Sequence, residues 1–383
     1  MKTCAEPRIE NTTALRSRSF LLLLVATLGG FGGYVLLLPV VPLWAVRGGA
    51  GELAAGATNG VFMLVTVLTQ LGMPWLLRRI DHRLALGLGT ALIGAPTPLY
   101  AFSRDMAVLL GTSGLRGIGF GLLTVAGGAM VAELVPPRLR GRAAGLYGLS
   151  VGLPNVVLLP VGVWLTQTIG FPALFWFAGI IPLAATTAVL GIAPVRPVHD
   201  PTTTSPAFPR ALFAPWAVML SVATAAGGLI AFLPLAVDGA AAPLALMAFG
   251  LATTLGRWSA GHLTDRLGPR HVLVPGAVLG TAGPALLALA TPGPASLAVT
   301  GALLFGAGFG AVQNVTLVVM FERTASGPAS TAWNIAYDAG NGLGSAGFGL
   351  LLTTADYSTT FAAAATLVLL CTPLAATGGS RRK

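Results

Sequence analysis

Two ionisable residues stand deep inside apolar runs: Arg116, within 106–132, and Asp338, within 328–353. A charge at mid-bilayer is costly, so such a residue is by default a candidate for function. Around Asp338 the chain reads Trp333-Asn334-Ile-Ala-Tyr337-Asp338-Ala-Gly-Asn341. Asn334, Tyr337, Asp338 and Asn341 recur at three- and four-residue spacing, which puts them on one helical face. Such a stripe faces water or a ligand rather than lipid. The chemistry it suggests is reversible proton binding at Asp338, tuned by the charge of Arg116. Tyr34, Asn59, Asn155 and Asn314 also interrupt apolar runs and are candidates to line the same cavity. The competing role for each polar residue is a helix–helix hydrogen bond, and for Arg116 a bond to backbone carbonyls of a neighbouring helix.

Signatures of other chemistries are missing. There is no H-E-x-x-H, no G-x-S-x-G, no phosphate-binding G-x-x-x-x-G-K and no metal-spaced cluster of cysteine or histidine. No cofactor or metal is called for. Without a nucleotide site, any pumping must draw on an ion gradient. Cys4 and Cys371 lie at opposite ends, so no disulfide framework is suggested.

The elements that must position these residues are membrane helices. Of 383 residues, 55% are hydrophobic and only 9% charged, and the mean hydropathy is +0.81. A soluble domain carries about 25% charged residues. Apolar runs of about 20 residues, enough to cross a ~30 Å hydrocarbon core, follow one another closely. The 51 glycines and 27 prolines are tolerable there, where small residues permit close packing. The pattern predicts twelve spans: 20–44, 54–77, 84–103, 106–132, 143–166 and 170–193, then 212–236, 242–262, 271–291, 295–320, 328–353 and 358–377. The run 20–44 is too long for a signal-peptide core and is read as the first span. Residues 194–211, rich in proline and threonine, form a linker. It divides the chain into a half at 1–193 and a half at 212–383.

The net charge of +10 is placed as a membrane protein would place it, without the aromatic interleaving of a nucleic-acid binder. With the start inside, 19 of 22 basic residues fall on the inner side of the twelve spans. Both termini are therefore expected in the cytoplasm, with the chain multi-pass in the cell's inner (plasma) membrane. Its expected partners are a small molecule, protons and the lipid bilayer, with no nucleic acid, and it is expected to be a monomer.

The halves repeat each other. Arg78 aligns with Asp265 at an offset of 187, Gly119-Phe-Gly121 with Gly308-Phe-Gly310 at 189, Glu133 with Glu322 at 189, and Gly141 with Gly327 at 186. Six helices per unit leave both copies in the same orientation, related by an axis along the membrane normal. In the second copy, Gly261, Asp265, Arg266, Gly268 and Arg270 resemble the loop signature G-x-x-x-D-R-x-G-R/K-R/K of the major facilitator superfamily. The resemblance covers the whole chain except the tails and the linker. It implies an all-α integral membrane fold of twelve transmembrane helices as two parallel six-helix repeats, with a substrate site at their interface. It also implies that Gly261 lets two helices touch. Asp265, Arg266 and Arg270 would form a charge cluster with Arg142 at the start of the fifth span, gating the cytoplasmic side. The first copy departs from the signature, with Arg78 at the aspartate position and Pro74 at the first glycine; Asp81 or Glu133 is the candidate partner for its arginines. Arg116-Gly-Ile-Gly119 and the series Gly145, Gly148, Gly152, Pro154 are similar to motifs of drug-efflux proton antiporters.

The expected function is that of a proton-coupled secondary transporter exporting an amphipathic small molecule, such as a drug or natural product. Transport of a sugar or other nutrient is the alternative within the class. A non-transporting receptor or scaffold is the alternative outside it, and it gives no reason for the cost of Asp338.

Overall fold

The computed structural model describes residues 14–136, 139–193, 210–237, 239–291, 293–324 and 326–378. Most of the expected linker, Cys4 and Arg138 lie outside this set. Among the described residues all regular structure is helical. The first six spans comprise α1 (Arg18–Val35) with α2 (Val40–Arg47), α3 (Glu52–Leu76), α4 (His82–Gly94) with α5 (Leu99–Phe102), α6 (Met106–Leu134), α7 (Arg140–Thr168) and α8 (Phe171–Leu190). The last six are α9 (Phe213–Ala236), α10 (Ala241–Leu267), α11 (Pro269–Leu289), α12 (Ala295–Arg323), α13 (Ser326–Leu351) and α14 (Tyr357–Gly378).

Three boundaries differ from the sequence expectation. The first and third spans are each broken in two. Prolines 39, 96 and 98 supply no N–H, and the chain tightens around them: Leu37 N donates to Tyr34 O at 3.2 Å and Thr97 N to Gly94 O at 3.1 Å. The eighth span runs on to Leu267, well past the expected end near 262. It stops at Gly268, whose φ of 85° suits only glycine, and Pro269 opens α11. Asp265 and Arg266 therefore occupy the last turn of a helix, not a free loop.

Ten spans are long and apolar enough to cross a membrane, and the two that fall short, α10 and α13, are those carrying Arg257 and Asp265 and the polar stripe. Leu64, Leu68, Leu71 and Trp75 form an outward stripe on α3, each more than half exposed. A face like that is costly in water and natural in lipid. The protein is a multi-pass membrane protein.

The chain reverses with each span. One end of the bundle, the terminal end, holds the start of α1, the α3–α4 and α10–α11 junctions and the end of α14. The opposite end is the far end. Most packing is within the first six and within the last six spans; α3 with α13 and α7 with α10 make the main contacts across. Those crossings concentrate toward the far end, where glycines let backbones touch. A Cβ at Gly56 would stand 2.2 Å from Ser345 O, and one at Gly349 2.5 Å from Glu52 O. Gly250 similarly abuts Asn155 O at 2.7 Å. On α7, Gly148 and Gly152 share the face of Asn155 but lie nearer the terminal end, and there a Cβ would meet nothing within 4 Å. The bundle is sealed at the far end and splayed at the terminal end.

Candidate functional site

Asp338, in the middle of α13, is buried, with 3% of its surface exposed. Its Oδ2 accepts from Gln70 Nε2 of α3 at 2.6 Å, and the same nitrogen lies 3.2 Å from Thr124 Oγ1 of α6. One carboxylate thus joins helices from both parts of the chain. The Gln70 carbonyl oxygen is buried without a partner. In the sequence Gln70 is one of several polar residues within apolar runs, and its position in space singles it out.

Arg116 answers a different need. The two helix breaks leave carbonyls without their usual i+4 donors, because the amides of Leu37 and Thr97 turn to Tyr34 O and Gly94 O. Arg116 donates from Nη2 to Gly33 O at 2.7 Å and from Nε to Ile93 O at 3.2 Å. Its guanidinium lies 5.7 Å from the ring centroids of both Phe62 and Tyr100. It therefore ties α1, α4 and α6 together, and no ion pair joins it to Asp338. Tyr34 stacks between Phe62 (5.2 Å) and Phe120 (4.0 Å), within electrostatic reach of both Arg116 and Asp338.

The other expected cavity residues are divided. Tyr337 stacks on Trp333 at 5.5 Å and Phe309 at 6.0 Å, forming an aromatic wall beside Asp338. The amides of Asn155, Asn334 and Asn341 donate to carbonyls one turn back in their own helices, and Asn59 to Leu38 O at the first break. Asn314 keeps a buried, unpartnered Oδ1. A void of about 10 Å³ lies among Asn59, Met63, Gly227 and Asn341, on the sealed side. A separate groove of about 420 Å³ opens between α1, α7 and α8, lined by Val25, Leu28, Leu153, Val157 and Ile181. It has no polar side chain and faces outward from the bundle.

The expected gate is not assembled. Asp265, Arg266, Arg270 and Arg142 are all exposed at the splayed end, and among the described residues none makes an ion pair. A Cβ at Gly261 would meet only Asn314 Nδ2, at an ordinary 3.7 Å; close approach of α10 to α12 falls instead on Gly256 and Gly310. In the first copy Glu133 pairs with His82, at 2.7 Å, not with an arginine, and Asp81 caps α4 by accepting from Leu84 N. Arg83 donates to Val189 O at the C-terminal end of α8, where a cation suits the helix dipole, and Arg323 donates to Ala211 O in the turn that leads into α9. Arg257 is half-buried within α10, with its Nη1 3.4 Å from Gln313 Oε1.

The sequence profile of the Major Facilitator Superfamily matches residues 21–345. The chain belongs to this superfamily. An uncharacterized MFS-type transporter of Mycobacterium tuberculosis is 36% identical over 107 residues, 27% of this chain and 16% of that protein. The inner membrane transport protein YajR of Escherichia coli K12 is 25% identical over 169 residues, covering 44% and 37%. A protein of Cupriavidus pinatubonensis named "Probable 4-methylmuconolactone transporter" is 28% identical over 147 residues, covering 37% and 34%. The chain thus matches well under half the length of each. Among solved structures, a bacterial homologue of the human lysosomal transporter Spinster, inward-facing and occupied, superposes with a TM-score of 0.76 at 17% identity, covering 95% and 96%. The nucleoside transporter NupG gives 0.72 at 12%, covering 94% and 100%. With membership the fold follows: among the described residues, twelve spans of the major facilitator kind.

Proposed function

We propose that the chain is a proton-coupled exporter of an amphipathic small molecule, with Asp338 carrying the proton. The observation that carries this is the contact between Asp338 and Gln70, which joins the two six-helix halves at the inner limit of the sealed region. A carboxylate accepts from the Gln70 amide nitrogen; a protonated carboxyl would donate to its free oxygen after the amide turns over. The pair can therefore hold in either protonation state, with a reorientation between them. Tyr34 and Arg116 set the surrounding charge.

The halves are residues 1–193 and 212–383, with the linker between them. The terminal end is the cytoplasmic side of the plasma membrane, as the arginine bias favours, so the splayed state is inward-facing. Efflux rests on the similarity of Gly145, Gly148, Gly152 and Pro154 to the antiporter motif and on the aromatic wall, which suits an apolar body. In vesicles, Asp338→Asn is expected to abolish gradient-driven accumulation while keeping binding and downhill exchange. An asparagine variant that still concentrates substrate and moves protons normally would falsify the assignment.

A further inference from the structure

We infer that Arg257, with Gln313 and the Tyr337 wall, forms a subsite for the carboxylate of an amphipathic organic anion. This rests on reading the chain as a small-molecule transporter and names the chemistry of its ligand. Arginine stays charged in any protein environment. A half-buried guanidinium inside a membrane helix is costly without a counter-charge. Among the described residues Arg257 has none: its hydrogen-bond partner there is the neutral Gln313 Oε1 at 3.4 Å, and no described carboxylate lies within 4 Å. Arg116, by contrast, is bound to two carbonyls and enclosed by two rings.

Position adds the second argument. Arg257 lies seven residues from Gly250, about 10 Å along α10 toward the terminal end and on nearly the same face. Gly250 is where α10 touches α7; beyond it the α7 face falls away at Gly152 and Gly148, where nothing comes within 4 Å. The guanidinium therefore borders the cleft between the halves. A Cβ at Gly310 would stand 2.8 Å from Arg257 N, so α10 meets α12 at this level, next to Phe309. Phe309, Tyr337 and Trp333 stack in sequence from there. The arrangement offers a planar donor for an oxyanion next to an apolar surface for the rest of the molecule. Gln313 takes one donor of the fork, and the guanidinium makes no other hydrogen bond among the described residues.

The test uses the full chain in lipid nanodiscs, with binding followed by tryptophan fluorescence. The probes are phenylbutyrate, its amide and the matching phenylbutylamine. The wild type is expected to bind the acid about 10-fold or more tighter than the amide, the scale of hydrogen bonds to a charged group. Arg257→Gln should erase that preference while leaving weak amide binding in place. Arg257→Lys should retain part of it, as a charge without the planar fork. Equal binding of acid and amide by the wild type, no saturable response to the acid, or an unchanged preference in Arg257→Gln each overturns the assignment. A variant that loses affinity for acid, amide and amine alike, with a lowered melting temperature, identifies Arg257 as structural and also overturns it. Asp338→Asn in the same assay should keep the preference, so a failure of proton coupling and a failure of this subsite are read separately.

Discussion

Arg116 closes a deficit that the chain creates for itself. Prolines near 39 and 96 break two helices, the breaks take the amide donors from two carbonyls, and one guanidinium from a third helix reaches both. Ile93 O also accepts from Thr97 Oγ1 at 2.7 Å, so loss of the guanidinium leaves Gly33 O alone without a donor. An unsatisfied buried acceptor costs about 1–3 kcal/mol, and Arg116→Gln is expected to destabilise the protein by that much. Lysine should not rescue it, since a point charge cannot span two carbonyls on different helices. Thermal unfolding in detergent checks this; a variant with wild-type stability and an altered pH dependence of transport would make Arg116 chiefly a tuner of Asp338. Both buried charges were legible in the sequence because a charge amid apolar residues is conspicuous. Their partners were not. Gln70 and Asp338 are 268 residues apart, and helical spacing gives a face without naming the helix opposite. Arg257 shows a related limit: it falls inside the expected span 242–262, and hydropathy does not say that its side chain turns toward Gln313 of α12.

α10 shows what an element adds. Carrying its helix to Leu267 puts Asp265 one turn from the end, where an acid is unfavourable to the helix dipole and free to seek a partner elsewhere. In this splayed arrangement it has none, and the start of α7, with Arg142, is the partner the family geometry suggests. Asp265→Asn is expected to lower transport by about 2- to 30-fold with normal membrane insertion, the range for a charge leaving a helix N-terminus. Wild-type flux from that variant would make the motif an orientation signal only. Span number and order could be read from hydropathy, since length and apolarity report directly on bilayer crossing. The breaks in the first and third spans could have been suspected from Pro39, Pro96 and Pro98. The partition of the glycines could not: Gly261 matches a motif, yet Gly256 and Gly310 make the close backbone approach.

At the scale of the whole molecule, the far-end seal is built from backbones. Ser345 Oγ donates to Gly56 O at 3.1 Å, and a Cβ on Gly56 would stand 2.2 Å from Ser345 O. Gly56→Val should wedge this end apart and shift the protein toward the state open there. With Cys4 and Cys371 replaced by serine, the buried Ser345→Cys should then react about 10-fold faster with a water-soluble maleimide, given an overpacking cost of 1–3 kcal/mol. An unchanged rate would mean the helices absorb the methyl groups without parting. A seal of this kind has a consequence for hydration. Hydrophobic zippers resist wetting because parting them exposes apolar area at about 25 cal/mol per Å². Glycine surfaces present little such area, and water can take over the bond that Ser345 gives up. Flooding the far end should therefore cost the molecule little. A small difference in free energy then suffices to decide whether that end stands dry or wet.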